Sequence, residues 1–305
     1  MTTTLVLLNT HARGGRAAHL QDPLRRWLDQ HAHGTELAIP ATVTLARERL
    51  LLLPPSSRVV VVGGDGTLNK LLPALLVREH TLGLVPFGSG NDTARALNLH
   101  HLPWATALTH ALRGPSSRMD VGQAVFQSTD MQLTVPFLSS FTVGFDSAVG
   151  LRALNGPKWL SGLPRYLLAT LRELAALRNW ELQVQVDGTT VHAGAALFAS
   201  TLNTPTFGSG MPAVPRALID DGQLNLLLAG RFGRANTALM LPRLLAGWHL
   251  GHPRVQTRAF ARLALHAVTP VPLAADGEYL GTTQQLELHV LASALAVVRG
   301  PLGLL

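Results

Sequence analysis

The sequence predicts an α/β domain built on a parallel sheet, followed by a mainly antiparallel β domain. Three observations carry that reading. Val59 to Val62 form an apolar β-branched run that stops at Gly63-Gly64-Asp65-Gly66-Thr67, as expected of a strand buried on both faces of a parallel sheet. Leu82 to Val85 repeat the pattern, ending in Gly88-Ser89-Gly90-Asn91-Asp92 before a helix-like stretch. From about Asp120 the texture changes to short β-branched or alternating runs separated by Gly, Pro and Asp turns, the spacing of antiparallel β structure.

Taken in order, Leu5 to Leu8 read as a first strand, followed by a loop through Gly14-Gly15 and a helix from about Ala17 to His31. A second strand near Leu37 to Ile39 and a helix around Leu45 to Leu53 complete a βαβα opening. The strand ending at Val62 leads into a helix opening at Leu68-Asn69-Lys70, and the strand ending at Val85 into one beginning at Thr93. Right-handed crossovers then give a parallel sheet over roughly the first 120 residues. In the second half, Leu133 to Val135, Glu181 to Val186 and Leu224 to Leu228 are strand candidates, interrupted by one helix at about Leu163 to Arg178. Its Leu167, Leu168, Leu171, Leu174 and Leu177 make an apolar face. That face reads as a packed surface, with a membrane-facing role as the competing reading.

Composition sets bounds. With 305 residues and 47% hydrophobic content, the chain is long enough for two domains with buried cores. It has no cysteine, which excludes disulfides and thiolate metal sites, so a cation must sit on oxygen or histidine; magnesium is the natural guest. No apolar run approaches the roughly 18 residues that span a bilayer. Met1-Thr2-Thr3-Thr4 lacks the basic and apolar regions of a secretion signal, so a soluble cytoplasmic protein is expected. The net charge of +7 is almost entirely arginine, scattered along the chain, with Lys70 and Lys158 the only lysines. Such basicity suits a general bias of the proteome first and an anionic membrane surface second, and no nucleic-acid motif accompanies it.

The two Gly-rich loops suggest phosphate chemistry. Gly63, Gly64 and Gly66 allow a sharp turn and close backbone approach, and the helix that follows favours anions at its N-terminus. A lone Gly-Asp-Gly is also ordinary turn chemistry. Two such loops at successive strand ends converge on one edge of a parallel sheet, where open α/β folds place ligands. The Walker pattern with its lysine is absent, so the proposed cradle is the backbone N–H groups of Gly64, Gly66, Thr67 and Ser89 with the Thr67 hydroxyl. Asp65 is the acid at the metal-phosphate end, bridging through Mg²⁺. Asp92 either acts similarly or caps the helix beginning at Thr93.

Gly63-Gly64-Asp65-Gly66-Thr67 and Gly88-Ser89-Gly90-Asn91-Asp92-Thr93-Ala94-Arg95 are followed, in order, by Gly144-Phe145-Asp146, by Pro215 to Gly222, and by Asp276-Gly277-Glu278. In this the chain resembles the bacterial diacylglycerol kinase-like lipid kinases, relatives of sphingosine and ceramide kinases. The resemblance implies a phosphofructokinase/NAD kinase-like nucleotide-binding domain over 1–120, to which 292–305 return, and a β-rich domain over 121–291. It implies Glu278 as general base, with Asp276 orienting it through water or a metal and Asp221 in the same network. The competing reading of Asp276-Gly277-Glu278 is a hairpin turn with a solvated Glu. Asp120 and Asp220 resemble positions of a second, structural cation, and Asp-Asp-Gly reads equally as a turn. Asn9 matches the opening Asn-Pro motif only in part, since Thr10 stands where proline is usual, and is carried over as a nucleotide contact. Lys70, Asn225 and Ser209 depart from the pattern, the last interrupting a usual run of glycines at 208–210.

The expected function is an ATP- and Mg²⁺-dependent kinase that phosphorylates a lipid alcohol, diacylglycerol by default, visiting the inner face of the membrane without crossing it. A homodimer is compatible with an apolar edge strand. The alternatives are an NAD kinase, which shares the first loop but not the second, and a nonenzymatic nucleotide or lipid sensor on the same scaffold.

Overall fold

The computed structural model of the chain describes residues 3–128, 131–157, 159–160 and 163–301; Met1, Thr2, Lys158 and the last four residues of the returning tail lie outside them. The chain divides into two units, one of Met1–Met119 with Ser293–Leu305 and one of Asp120–Ala292.

The first unit opens with β1 (Thr4–Leu8), a 3₁₀ turn (Arg16–Leu20), α1 (Gln21–His31), β2 (Glu36–Ala38) and α2 (Val43–Leu52). The single helix expected from Ala17 is thus split. Pro23 has no N–H to donate four residues back and is tolerated only in a first turn, so the α-helix starts at Gln21. β3 (Arg58–Gly63), α3 (Asp65–Val77), β4 (Thr81–Pro86), a short α4 (Asp92–Ala96) and α5 (Trp104–Arg113) complete the unit.

Its strands lie parallel in the order β2-β1-β3-β4. Central β3 buries all four valines completely, which accounts for a run with no polar alternation. Leu24 and Leu28 of α1 and Ala107, Leu108 and Ala111 of α5 close the core against β1, β3 and β4.

The second unit comprises β5 (Ser116–Ser128, whose first residues belong to the first unit), β6 (Met131–Phe137), β7 (Ser140–Val143), α6 (Phe145–Leu154), α7 (Leu163–Ala175), β8 (Trp180–Val186) and β9 (Thr189–Leu202). β10 (Leu224–Gly230), α8 (Arg234–Leu245), β11 (Val255–Phe260), β12 (Arg262–Ala275) and β13 (Glu278–Val298) follow. Its strand pairs are antiparallel. The alternation of β8, with Leu182, Val184 and Val186 inward, builds a core with Phe126, Phe137, Phe141, Leu263 and Leu265. From Ser293, β13 belongs to the first unit, where Ala296 and Val297 pair in parallel with Thr81 and Leu82 of β4.

The reading of one helix among these strands is corrected: α6 and α8 accompany α7. α8 was hidden because its apolar residues do not gather into a clear stripe, and Gly233 and Pro242 break the surrounding pattern. The apolar face of α7 is also not simply packed. Ala169 and Thr170 are buried, whereas Leu171 is 59% exposed.

Candidate active site

In the first unit the two Gly-rich loops meet. A Cβ on Gly64 would lie 2.6 Å from Cα of Gly88, and one on Gly88 would lie 2.7 Å from Cα of Gly64. Any side chain at either position would force the loops apart, so two glycines from different strand ends are required by one contact. Gly63 is different. It is buried, its carbonyl accepts the Phe87 N–H at 2.7 Å, and Thr67 fills the space of a side chain.

α3 begins at Asp65, three residues before the expected opening at Leu68, so Asp65-Gly66-Thr67 is the helix's first turn rather than a loop. This corrects the cradle. The Thr67 N–H donates to the Gly64 carbonyl at 2.9 Å and so leaves the cradle, which keeps the N–H groups of Gly64, Gly66 and Ser89 with the Thr67 hydroxyl. Asn9 Nδ2 donates to that hydroxyl at 2.7 Å, tying the end of β1 to the loop. Asn91, in the left-handed region at φ 58°, accepts the Gly88 N–H at 2.8 Å and donates to the Gly88 carbonyl at 3.1 Å. Ser89 lies exposed at the loop tip, and Gly90 is half-buried.

Asp65 has a role that its motif did not reveal. Its Oδ2 accepts the Asp92 N–H at 3.0 Å and its Oδ1 the Thr93 N–H at 3.1 Å. The carboxylate of the first loop therefore caps the helix of the second. Asp92 is not that cap, because α4 starts at Asp92 itself with Asn91 in the N-cap position.

In the second unit, Asp276 and Gly277, at φ 46° and 85°, form the two-residue connection of the β12–β13 hairpin, in which Ala275 pairs with Glu278. Two positive φ values mark a type I′ turn, the usual geometry of Asp-Gly. The Asp276 carboxylate is 9% exposed and accepts three backbone N–H groups, from Leu138 at 2.9 Å, Ser139 at 2.7 Å and Ser140 at 3.1 Å. These bonds anchor the turn that leads into Glu278 to the backbone of residues 138–140. Glu278 is half-buried at the start of β13.

Asp120 is completely buried and accepts the Gly222 N–H at 2.7 Å, while its own N–H donates to Ile219 at 2.7 Å. Asp220 and Asp221 are exposed, and Asp221 Oδ1 accepts the Gln223 N–H at 3.1 Å. No group of three or more Asp, Glu or His side chains among the described residues is arranged to hold a metal. Asp120 organises the Asp220-Asp221-Gly222 turn directly, through its carboxylate on the Gly222 N–H and its own N–H on the Ile219 carbonyl.

One acid outside these sets stands out. Asp146, in the first turn of α6, accepts a hydrogen bond from Ser200 Oγ at 3.0 Å, and burial pushes its carboxyl up to about 7. Burial, then the charge of Asp146, pushes the Tyr166 hydroxyl well above its ordinary value. The Gly-Phe-Asp motif was the available signal, but it carried no information on burial.

Residues 3–124 match the diacylglycerol kinase catalytic domain, and residues 139–299 match the YegS C-terminal NAD kinase beta sandwich-like domain. A diacylglycerol kinase of Mycobacterium tuberculosis is 30% identical over 79% of this chain and 76% of its own. The chain belongs to the diacylglycerol kinase family. It is accordingly a kinase that transfers phosphate to an alcohol, and membership implies use of ATP. A diacylglycerol kinase of Bacillus anthracis strain Sterne shares the fold, with a TM-score of 0.67 at 16% identity over 98% of this chain and 97% of that one. An NAD kinase of Archaeoglobus fulgidus in complex with ATP is more distant, at a TM-score of 0.54 and 14% identity over 98% and 94%. No helix among the described residues is long and apolar enough to cross a membrane.

Proposed function

We propose that this diacylglycerol kinase family member transfers the γ-phosphate of ATP to the hydroxyl of a lipid alcohol, diacylglycerol by default, giving phosphatidic acid, with Mg²⁺ as cofactor. The observation that carries this reading is the contact of Gly64 with Gly88, which brings two loops and the N-terminus of α3 to one place. Backbone donors at a helix start suit phosphate oxygens. Asp65 and Asp92 would hold the cation. Each Asp65 oxygen accepts one backbone N–H and retains a lone pair, and Mg²⁺ in such sites takes one or two carboxylates beside the phosphates. Bound there, it would neutralise charge developing on the phosphates.

Glu278 would act as general base. It accepts the proton of the alcohol as that oxygen bonds to the γ-phosphorus and the bond from phosphorus to the β,γ-bridging oxygen breaks, releasing ADP. Asp276 is a positioning residue, acting through the turn. Asp221, exposed and accepting the Gln223 N–H within its own turn, would join the network of Glu278 as the resemblance implies.

The test is transfer from γ-labelled ATP to a panel of lipid alcohols in mixed micelles with Mg²⁺, wild type beside Glu278→Gln. The expected result is one labelled lipid with wild type and a fall of about 10² to 10⁴-fold in turnover for the variant, with ATP binding retained. Label in NAD instead would favour the NAD kinase reading. ATP binding without transfer to any acceptor would favour a sensor.

A further inference from the structure

We propose that the outer faces of α7 and α8 form the surface by which the second unit docks on an anionic lipid bilayer. The two helices pack against each other, and Tyr166 of α7 and Leu244 of α8 rest on the same apolar cluster around Phe207, Met211 and Val214. Their opposite sides therefore face outward together. On α7, with Ala169 and Thr170 buried, Leu167, Leu171 and Leu174 follow the i, i+4, i+7 spacing of one stripe, and that stripe lies about a third of a turn away from the buried face. Leu171 is 59% exposed and Leu167 and Leu174 are only half-buried. On α8, Thr237 is buried while Leu239 is 67% exposed, and Trp248, just beyond the helix, is 75% exposed. Apolar surface gathered at one place, unlike scattered single residues, marks an interaction site.

The charge around it selects the occupant. Arg234 and Arg243 belong to α8, Arg231 precedes it and Arg254 donates to the Arg231 carbonyl, with no Asp or Glu between residues 231 and 254. Arg172 and Arg178 are exposed beside the α7 stripe, and the one acid of that helix, Glu173, is held by Arg152 at 2.6 Å. The amphipathic α7, set beside the exposed Leu239 and Trp248 and the arginines of and around α8, has the composition that lies in a headgroup layer, apolar side in the acyl boundary and guanidinium groups on lipid phosphates. A protein partner of matching chemistry would need its own acidic rim, and a second copy of this equally basic face would be repelled. The inference rests on the lipid kinase reading for its purpose, since an acceptor that stays in the bilayer must be met there.

The test is co-sedimentation of the full chain with phosphatidylcholine vesicles containing phosphatidylglycerol, without nucleotide. It compares wild type, Leu171→Asp/Leu239→Asp, Arg172→Glu/Arg243→Glu and Leu52→Asp, the last at a still more exposed leucine of α2. Both double variants should bind the anionic vesicles at least about tenfold more weakly, Leu52→Asp should match wild type, and wild-type binding should fall with salt. In parallel, phosphorylation of a dispersed short-chain diacylglycerol should be unchanged in both double variants. Vesicle binding retained in both, lost equally in Leu52→Asp, or accompanied by dissociation of a wild-type oligomer would overturn the docking face. Loss of vesicle binding in a chain that phosphorylates no lipid alcohol would uphold the docking face and remove the kinase reading.

Discussion

Two hairpins of the second unit are built from the same dipeptide and end differently. Asp187-Gly188 joins β8 to β9 and Asp276-Gly277 joins β12 to β13, with φ near +47° at each aspartate and positive at each glycine. In both, the aspartate N–H donates to a neighbouring segment's carbonyl, Arg262 for Asp187 and Ser140 for Asp276. Each carboxylate accepts N–H groups of that same segment. Asp187 is exposed, whereas Asp276 is buried and gains a third donor from Leu138. A local turn motif therefore specifies a hairpin and a clamp, while depth goes with the number of donors that the clamp gathers, two at Asp187 and three at Asp276.

The largest expected effect separates the two turns. Asp276→Ala leaves three buried N–H groups without an acceptor and should lower stability by about 3 to 5 kcal/mol, whereas the same change at exposed Asp187 should cost about 1 kcal/mol or less. Urea unfolding of the two variants measures both, and equal losses would break the comparison.

Asp146 sharpens it, as a buried carboxyl held by one hydroxyl and raised by burial to about 7. Because its folded pKa lies above the unfolded value, the folded state binds more protons between about pH 4 and 7. Its stabilising effect is complete at the acid end of that window and lost as pH rises through it. Asp146→Asn should flatten this slope, removing a difference on the order of 3 kcal/mol between the two ends. Denaturation midpoints at a series of pH values measure it, and parallel curves for the two proteins would contradict the assignment.

Asp65, the carboxylate clamp of the first unit, is half-buried, so Asp65→Ala should cost about 1 to 2 kcal/mol as a lost helix cap. It should also weaken ATP binding, read by titration calorimetry, because the second loop loses its anchor. Smallest is a gain. Gly208, Ser209 and Gly210 have φ of 58°, 77° and 95°, so Ser209 occupies the left-handed region where its neighbours are glycine. Ser209→Gly should raise stability by about 1 kcal/mol, less the added freedom of the unfolded chain, seen as a small rise in Tm.

Much of the fold was legible because its signals are local. Four consecutive valines need cover on two faces, and alternation in β8 needs a single covered face, so strand type follows from the run itself. Helices α5, α6 and α8 went unread and the split before α1 turned on Pro23 alone; α6 and α8 lack a clear apolar stripe, whereas Ala107, Leu108 and Ala111 give α5 a periodic signal that was available. The candidate site divides along the same line. The sequence by itself determined where glycine and aspartate cluster at strand ends, and thus where turns and anion-facing helix starts must lie. Only the tertiary structure decided what each aspartate does. A carboxylate's task depends on which N–H groups lie within about 3 Å of it. For Asp65, Asp120 and Asp276 those donors come from segments 27, 102 and at least 136 residues away in the chain.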